Sequence, residues 1–201
     1  LLPWLKFGNT EQSLLGQGLA MLHKKSAESN LGKFGWDTDA FIGSGPQPGG
    51  WETTWGKHFV MRRILPQMHI ASKWGLNSNN FEKLLTRLIS FLNEHKACPS
   101  IVHGDLWSGN AAMLQDGRGS IFDPATWWAD RGVDIAMTKL FGGFSQSFYD
   151  AYNDIWPISL SDDLCEIYNL YHLLNHANLF GGSYKKQSIE SLNQLNSRFN
   201  L

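Results

Sequence analysis

The sequence predicts an α+β body that is predominantly helical and carries a small antiparallel patch. Several stretches repeat apolar residues at helical spacing, short β-prone runs lie between them, and the turn Gln115-Asp116-Gly117-Arg118-Gly119 joins two of those runs. The length, 201 residues, suits one compact body with a sizeable core, or one body plus a further piece.

The elements follow in order. Thr10 followed by Glu11 and by Leu14, Leu15, Leu19 and Leu22 reads as an N-capped amphipathic helix ending near Lys24-Lys25. Phe34 to Gly50 is rich in glycine and holds Pro46 and Pro48, so it reads as a long ordered surface loop. Its Gly43-Ser44-Gly45 and Gly49-Gly50 are not followed by Gly-Lys-Ser/Thr, which disfavours a phosphate-cradling loop there. Trp51, Trp55, Phe59 and Arg63 recur at four-residue spacing, the face of one helix. The first three read as an aromatic stripe on the core, and Arg63 as a large cation in want of an anionic partner. A helix over about 80–96 turns Leu84, Leu85, Leu88 and Leu92 inward, with Asn79 or Asn80 as cap. Ile101-Val102, Ala112-Met113-Leu114 and Ser120-Ile121-Phe122 are short strand candidates. Ser161, followed by Asp162-Asp163 in the first turn, caps a helix running through Leu164, Ile167, Tyr168, Tyr171 and Leu174 to near Phe180. A last helix covers Lys186 to Phe199.

Composition excludes several function classes. Seventeen Lys+Arg against eighteen Asp+Glu leave a net charge of −1, which argues against a chain built to neutralise a nucleic-acid backbone or coat an anionic membrane. The apolar runs are far shorter than the ~20 residues that span a bilayer. Cys98 and Cys165 are too few for a disulfide framework or a zinc site and have no neighbouring group that would activate a thiol, which fits a reducing, cytoplasmic setting.

The dense polar cluster is His103-Gly104-Asp105-Leu106-Trp107-Ser108-Gly109-Asn110, followed by Phe122-Asp123-Pro124. A hairpin turning near Asp116-Gly117 pairs positions whose numbers sum to about 233, which sets Asn110 almost opposite Asp123, across the open end of the hairpin. Asp105, in a glycine-containing loop, curls back to the same spot. Two carboxylates and an amide oxygen are hard ligands suited to Mg²⁺, which completes its shell with water and substrate phosphates. A carboxylate not fully used by the metal can accept a proton from a hydroxyl nucleophile. The spacing, Asp then Asn five later then Asp thirteen further, is that of phosphotransferases with the protein-kinase arrangement.

Several longer stretches carry a more specific resemblance. His103-Gly-Asp-Leu-Trp-Ser-Gly-Asn110, Asp123-Pro-Ala125, Asp130-Arg131 with Asp134-Ile-Ala-Met137, Leu140-Phe-Gly-Gly143, Tyr171-His-Leu-Leu-Asn-His176 and Leu179-Phe-Gly-Gly182 resemble the fructosamine kinase family, as do Phe34-Gly-Trp36, Pro46-Gln-Pro48, Trp51 and Arg63. The chain departs from the family pattern at Gly49, where Asn is common, and at Gly132, where Glu is frequent. The resemblance implies a protein-kinase-like, aminoglycoside-phosphotransferase-like fold and transfer of the γ-phosphate of ATP to the 3-hydroxyl of ketosamines, leading to protein deglycation. It implies Asp105 as base and Asn110 and Asp123 as the Mg²⁺ and nucleotide-binding pair; Trp107, Trp127, Arg63 and His176 are the expected acceptor contacts. The expected partner is a small ketosamine or a glycated protein amine. Residues 8–201 are then expected to form the carboxy-terminal lobe and 1–7 the end of the strand from the interlobe hinge, with the nucleotide-clamping lobe upstream.

Other candidates read less sharply. His172 and His176 have the i, i+4 spacing of two metal ligands but lack the Glu of a zinc protease, and buried histidines lining an acceptor cleft fit better. Asp130, Arg131 and Asp134 suit a clamp on the catalytic loop by bidentate pairing better than a substrate contact. Trp127 and Trp128 suit an apolar wall for a sugar ring or plain core equally. Two other functions stay open: a kinase for another hydroxylated amine, such as an aminoglycoside or choline, and a non-catalytic lobe that binds glycated amines.

Overall fold

The computed structural model describes residues 4–8, 11–30 and 32–200. Nine short strands and eight α-helices follow the order β1 (Phe7–Gly8), α1 (Ser13–Ser29), β2 (Phe34–Trp36), β3 (Ala40–Ile42), β4 (Gly45–Gln47), β5 (Gly50–Glu52), α2 (Trp55–Phe59), α3 (Leu65–Ala71), α4 (Glu82–Glu94), β6 (Pro99–Val102), β7 (Ala111–Leu114), β8 (Gly119–Ile121), β9 (Trp127–Asp130), α5 (Gly132–Leu140), α6 (Gln146–Ile155), α7 (Asp162–Phe180) and α8 (Ser183–Arg198) among the described residues. All strand pairs are antiparallel, in the orders β1-β7-β8, β5-β2-β9-β6 and β3-β4. No helix among the described residues is long and apolar enough to cross a membrane.

Two apolar clusters hold the layers together. The larger gathers Trp55 and Phe59 of α2, Leu84, Leu88 and Leu92 of α4, Val102 and Trp127 of the sheet, and Tyr168, Tyr171 and Leu174 of α7. The smaller joins Leu15 and Leu19 of α1 to Phe148 and Tyr152 of α6 and to Leu106 and Met113 beside the hairpin. Helix α7 is buried on nearly every side, which is why it lacks a polar face and forms the centre of the larger cluster.

Several expectations change. Thr10, expected to cap the first helix, lies outside the described residues; the helix starts at Ser13, and the Gln12 side chain ties down the distant 143–145 segment by donating to Gly143 O at 3.3 Å and accepting from Ser145 N at 2.7 Å. The helix passes Lys24-Lys25 because His23 and Ser26 are still inward, and it stops where Asn30 Oδ1 accepts from Gly32 N and Lys33 N. The segment Phe34 to Gly50 is not a loop but β2, β3, β4 and the start of β5. Gly35 makes this possible: at φ +139° it sits between Trp51 and Trp128 in register, and a Cβ there would lie 2.1 Å from Gly50 O. Trp51 belongs to β5, so the helical face begins only at Trp55. Of the segment 1–7, Leu1, Leu2 and Pro3 lie outside the described residues and Phe7 pairs with Leu114.

Other elements sit where the pattern puts them. Leu84, Leu85, Leu88 and Leu92 are buried on α4, although a 3-10 turn over Ser78–Phe81 precedes it and Asn77, not Asn79 or Asn80, accepts the capping bond from Asn79 N. Ser161 Oγ accepts from Leu164 N at 3.2 Å, capping α7.

Between α2 and α3 the chain widens into a π-helical turn, Val60–Ile64. This turn carries both Arg62 and Arg63 toward the strands, where Arg62 Nη1 donates to Gly49 O at 2.7 Å and Arg63 Nη1 to Pro48 O at 2.8 Å. The Arg63 guanidinium lies 4.1 Å over the Trp127 ring, and Trp127 also stacks on His58 and Trp55.

Two buried imidazoles weaken the fold toward acid, against the opposite pull of His95, whose hydrogen bond to Asp130 raises its pKa. Burial, together with the nearby cations of Arg63 and Arg62, holds His58 down to about 2, and burial next to His176 holds His172 down to about 3. Neither ring has a hydrogen-bond partner among the described residues. Below the unfolded value of about 6.5, only the unfolded chain takes up these protons, so stability falls as the pH drops from there toward the folded-state values. Each ring contributes a slope of up to about 1.4 kcal/mol per pH unit. Urea unfolding between pH 7 and 5 measures it: the slope should shrink in His58→Phe and His172→Leu variants, and an unchanged slope in both would contradict this origin.

Candidate active site

The loop after β6 is held from beneath by one carboxylate. Asp134, on α5 and wholly buried, accepts from His103 N at 2.7 Å, from Gly104 N at 2.8 Å and from His23 Nε2 at 3.1 Å. Burial alone would raise its pKa, but the His23 hydrogen bond, the nearby His103 and the Gly104 amide outweigh it and hold the carboxyl below its ordinary range. Tyr152 donates to His23 Nδ1 at 2.8 Å and receives Arg131 Nη1 at 3.0 Å. His103 Nε2 faces Phe122 O at 2.9 Å and must donate, so Nδ1 is the acceptor for Asp105 N at 3.3 Å. Gly104 has φ +81°, and a Cβ there would lie 2.2 Å from Ala125 O; the position requires glycine both for its backbone and for space.

That support turns Asp105 outward. Asn110 Nδ2 donates to Asp105 O at 2.9 Å and Oδ2 at 3.3 Å, which leaves Asn110 Oδ1 as its remaining donor atom for a metal. Asp105 Oδ1 is buried and has no partner among the described residues. Burial raises the Asp105 pKa, against the opposing pull of His176, His103 and the Asn110 hydrogen bond.

The hairpin register differs by one from the expected pairing. Ala111 faces Ile121 and Ala112 faces Ser120, so Asn110 O accepts from Phe122 N at 3.1 Å and Asp123 lies one residue beyond. Asp123 adopts φ +53°, a left-handed conformation that Asp tolerates, ahead of Pro124. Even so, Asp105, Asn110 and Asp123 line one cavity of about 760 Å³.

The rest of the wall is largely aromatic. Trp107, Phe141 and His176 line the cavity, with Tyr184 and Phe180 beside His176 at ring separations of 5.1 Å and 5.6 Å. His176 Nδ1 donates to His172 O at 2.8 Å, so Nε2 is the nitrogen left free, whereas His172 is sealed in the core; the two rings do not converge on a ligand.

Two expected acceptor contacts are not at the wall. Trp127 is 0% exposed and Arg63 1%, and neither lines the cavity. Arg63 Nη1 has backbone carbonyls and the guanidinium an indole face in place of the expected anion, while Nε and Nη2 have no partner among the described residues; burial lowers its pKa to about 10. Arg131 likewise does not pair with Asp134; it donates to Tyr152, Trp156 O and Pro157 O, and the clamp on the loop runs from Asp134 to backbone amides.

Gln47, present in the Pro46-Gln-Pro48 stretch but given no role by sequence reasoning, is buried and bridges three segments. Its Nε2 donates to Ala125 O at 3.1 Å, its Oε1 accepts from Tyr171 at 3.0 Å, and Ala125 N donates to His103 O at 2.8 Å. Beyond the resemblance of that stretch, the signal was a lone amide between Pro46 and Pro48, a place where no helix can absorb it.

A family model described as fructosamine kinase matches residues 1–198. The chain is 41% identical over 198 residues to a Synechocystis protein named "Probable ketoamine kinase", covering 96% of this chain and 66% of that protein. It is 39% identical over 196 residues to a protein of the same description from Vibrio parahaemolyticus, covering 96% and 67%. The crystal structure of a "Putative fructosamine-3-kinase" from Haemophilus somnus superposes with a TM-score of 0.86 at 32% identity, over 96% of this chain and 67% of that one. Choline kinase from Streptococcus pneumoniae, at 13% identity and a TM-score of 0.58 over 94% and 66% of the two chains, shares the protein-kinase-like fold. The chain thus spans about two thirds of the length of these relatives.

Asp134→Ala leaves the amides of His103 and Gly104 and the ring of His23 without their acceptor in a dry interior. The expected loss is about 3–5 kcal/mol of folding stability, measured by urea unfolding. A loss below about 1 kcal/mol would show that the loop is held by something else.

Proposed function

The chain belongs to the fructosamine kinase family, and from that premise we propose that its cavity is where a phosphoryl group passes from ATP to the 3-hydroxyl of a ketosamine. The observation that carries the reading is Asp105 Oδ1, an unpaired carboxylate oxygen in the wall of a cavity large enough for a sugar and part of a nucleotide. It is placed to accept the proton of a bound hydroxyl. The hydroxyl oxygen bonds to the γ-phosphorus, the bond from that phosphorus to its bridging oxygen breaks, and ADP leaves with the electron pair. Asn110 keeps the other Asp105 oxygen occupied, which fixes the carboxylate plane.

The same cavity fits Mg²⁺. Asn110 Oδ1 and the Asp123 carboxylate are hard oxygen donors, and Mg²⁺ needs only one or two carboxylates when phosphates and water complete its shell. The described residues hold no group of three or more His, Cys, Asp or Glu that could cage a metal by themselves, in keeping with an ion that arrives with the nucleotide. When bound, Mg²⁺ supplies charge neutralisation for the phosphates.

Trp107 and His176 form the acceptor side, His176 through Nε2. No lysine or arginine among the described residues lines the cavity, so in this reading the cation for the α- and β-phosphates comes from outside that lining, as from a nucleotide-clamping lobe. The substrates in this reading are small ketosamines or glycated protein amines in a cytoplasmic, ATP-rich setting, and phosphorylation promotes deglycation.

The test is phosphorus NMR of Mg-ATP with fructosyl, ribulosyl and erythrulosyl amines, using the protein as its gene encodes it. Transfer to the 3-hydroxyl should fall by about 10²–10⁴-fold in Asp105→Asn, with thermal stability kept. Full activity in that variant would overturn the role of Asp105. Ketosamine binding by the unaltered protein without any transfer would replace the kinase with a binding lobe.

A further inference from the structure

Asn175 is a buried side chain that the fold itself does not use. It lies on α7 one residue before His176, is 2% exposed and lines the cavity that holds Asp105. Its Oδ1 has no hydrogen-bond partner, and no hydrogen bond reaches its amide nitrogen among the described residues. Nearby polar groups show the contrast. Gln47 has both amide atoms engaged, and Asn178, one turn further on, donates to Gln67 O at 2.9 Å and to its Oε1 at 2.8 Å.

A buried amide without partners costs stability and persists where something outside the fold binds it. The hairpin of β3 and β4 presses on this amide. A Cβ on Gly45 would lie 2.2 Å from Asn175 Oδ1, so glycine is what lets the strand approach while the amide keeps its place. Phe41 and Gly43 of the same hairpin roof the cavity, which puts Asn175 between roof and wall rather than in the apolar core.

We infer that Asn175 is a specificity-determining contact: its amide hydrogen-bonds a hydroxyl of the acceptor sugar other than the one phosphorylated. The inference rests on the ketosamine kinase reading. An amide offers both a donor and an acceptor, which matches a hydroxyl better than it matches an apolar aglycone or the phosphates. A site that pairs a buried group with a substrate hydroxyl rejects the analogue lacking it, since the protein group is then left unpaired.

The experiment compares the unaltered protein with Asn175→Ala and Gly45→Ala on a fructosyl amine and its 4-, 5- and 6-deoxy analogues. With the parent acceptor, kcat/KM should fall about 10- to 100-fold in Asn175→Ala. The fall should vanish with the one analogue that lacks the contacted hydroxyl, while the KM for ATP and the melting temperature hold. Gly45→Ala, which displaces the amide, should reproduce the pattern in milder form. No loss in Asn175→Ala, an equal loss on every acceptor, or a loss that tracks a fall in melting temperature would each overturn the inference. Absence of transfer by the unaltered protein would instead strike the kinase reading, and this inference with it.

Discussion

The carboxylate of Asp134 is the constraint on which the site depends. It is buried in the smaller apolar cluster's neighbourhood and satisfied by two consecutive backbone amides and one imidazole. Such a group tolerates little displacement, because every bond lost leaves a polar atom unpaired in a dry place. From it the geometry spreads in two directions. His23, Tyr152 and Arg131 tie it back to α1 and α6. Forward, the fixed amides of His103 and Gly104 set the turn that presents Asp105, and the bond from Ala125 to His103 O brings the segment after Asp123 alongside.

The contrast between satisfied and unsatisfied groups then separates support from chemistry. The His103 ring, the Gln47 amide and Asn110 Nδ2 spend their hydrogen bonds on backbone groups and on the side chains of Tyr171 and Asp105, and they position the loops. Asp105 Oδ1 and the Asn175 amide spend nothing inside the fold although both are buried in the cavity wall. His58 and His172 are equally unpaired but sealed in the core, so their effect is on stability toward acid rather than on binding. An orphaned polar atom is informative only together with its place: the same deficit marks a candidate ligand contact at the cavity and a standing cost in the core.

Much of the site was legible because its residue types are chemically forced. His-Gly-Asp after a strand, an amide five residues on and a second carboxylate past a hairpin lead to one pocket wherever the turn falls by a residue. The register itself was less legible: pairing Leu114 with Arg118 leaves a three-residue turn, one residue wider than a turn at Asp116-Gly117 alone, and Asp123 falls past the end of the ladder in a left-handed conformation. Helices with a clear polar face, such as α4, and the Ser161 cap could be read directly. Helix α5 could not, since it is buried at nearly every position and shows no period. The glycine-rich stretch over 34–50 looked like a loop because its strands are three residues long and stabilised by close backbone approach at Gly35, not by side-chain alternation. Arg63 was misjudged for a related reason: the π-helical turn that redirects it leaves no mark in spacing, and carbonyls with an indole face took the place of the expected anion.

The central claim is that acceptor, metal and nucleotide phosphates meet in one cavity around Asp105. A crystal structure of the protein with ADP, Mn²⁺ in place of Mg²⁺ and a ketosamine tests it most directly, since anomalous scattering locates the ion without reference to any assigned role. The account predicts the ion on Asn110 Oδ1 and the Asp123 carboxylate, with the sugar 3-hydroxyl within hydrogen-bonding distance of Asp105 Oδ1. An ion or a sugar bound outside this cavity in a protein that transfers phosphate would contradict it.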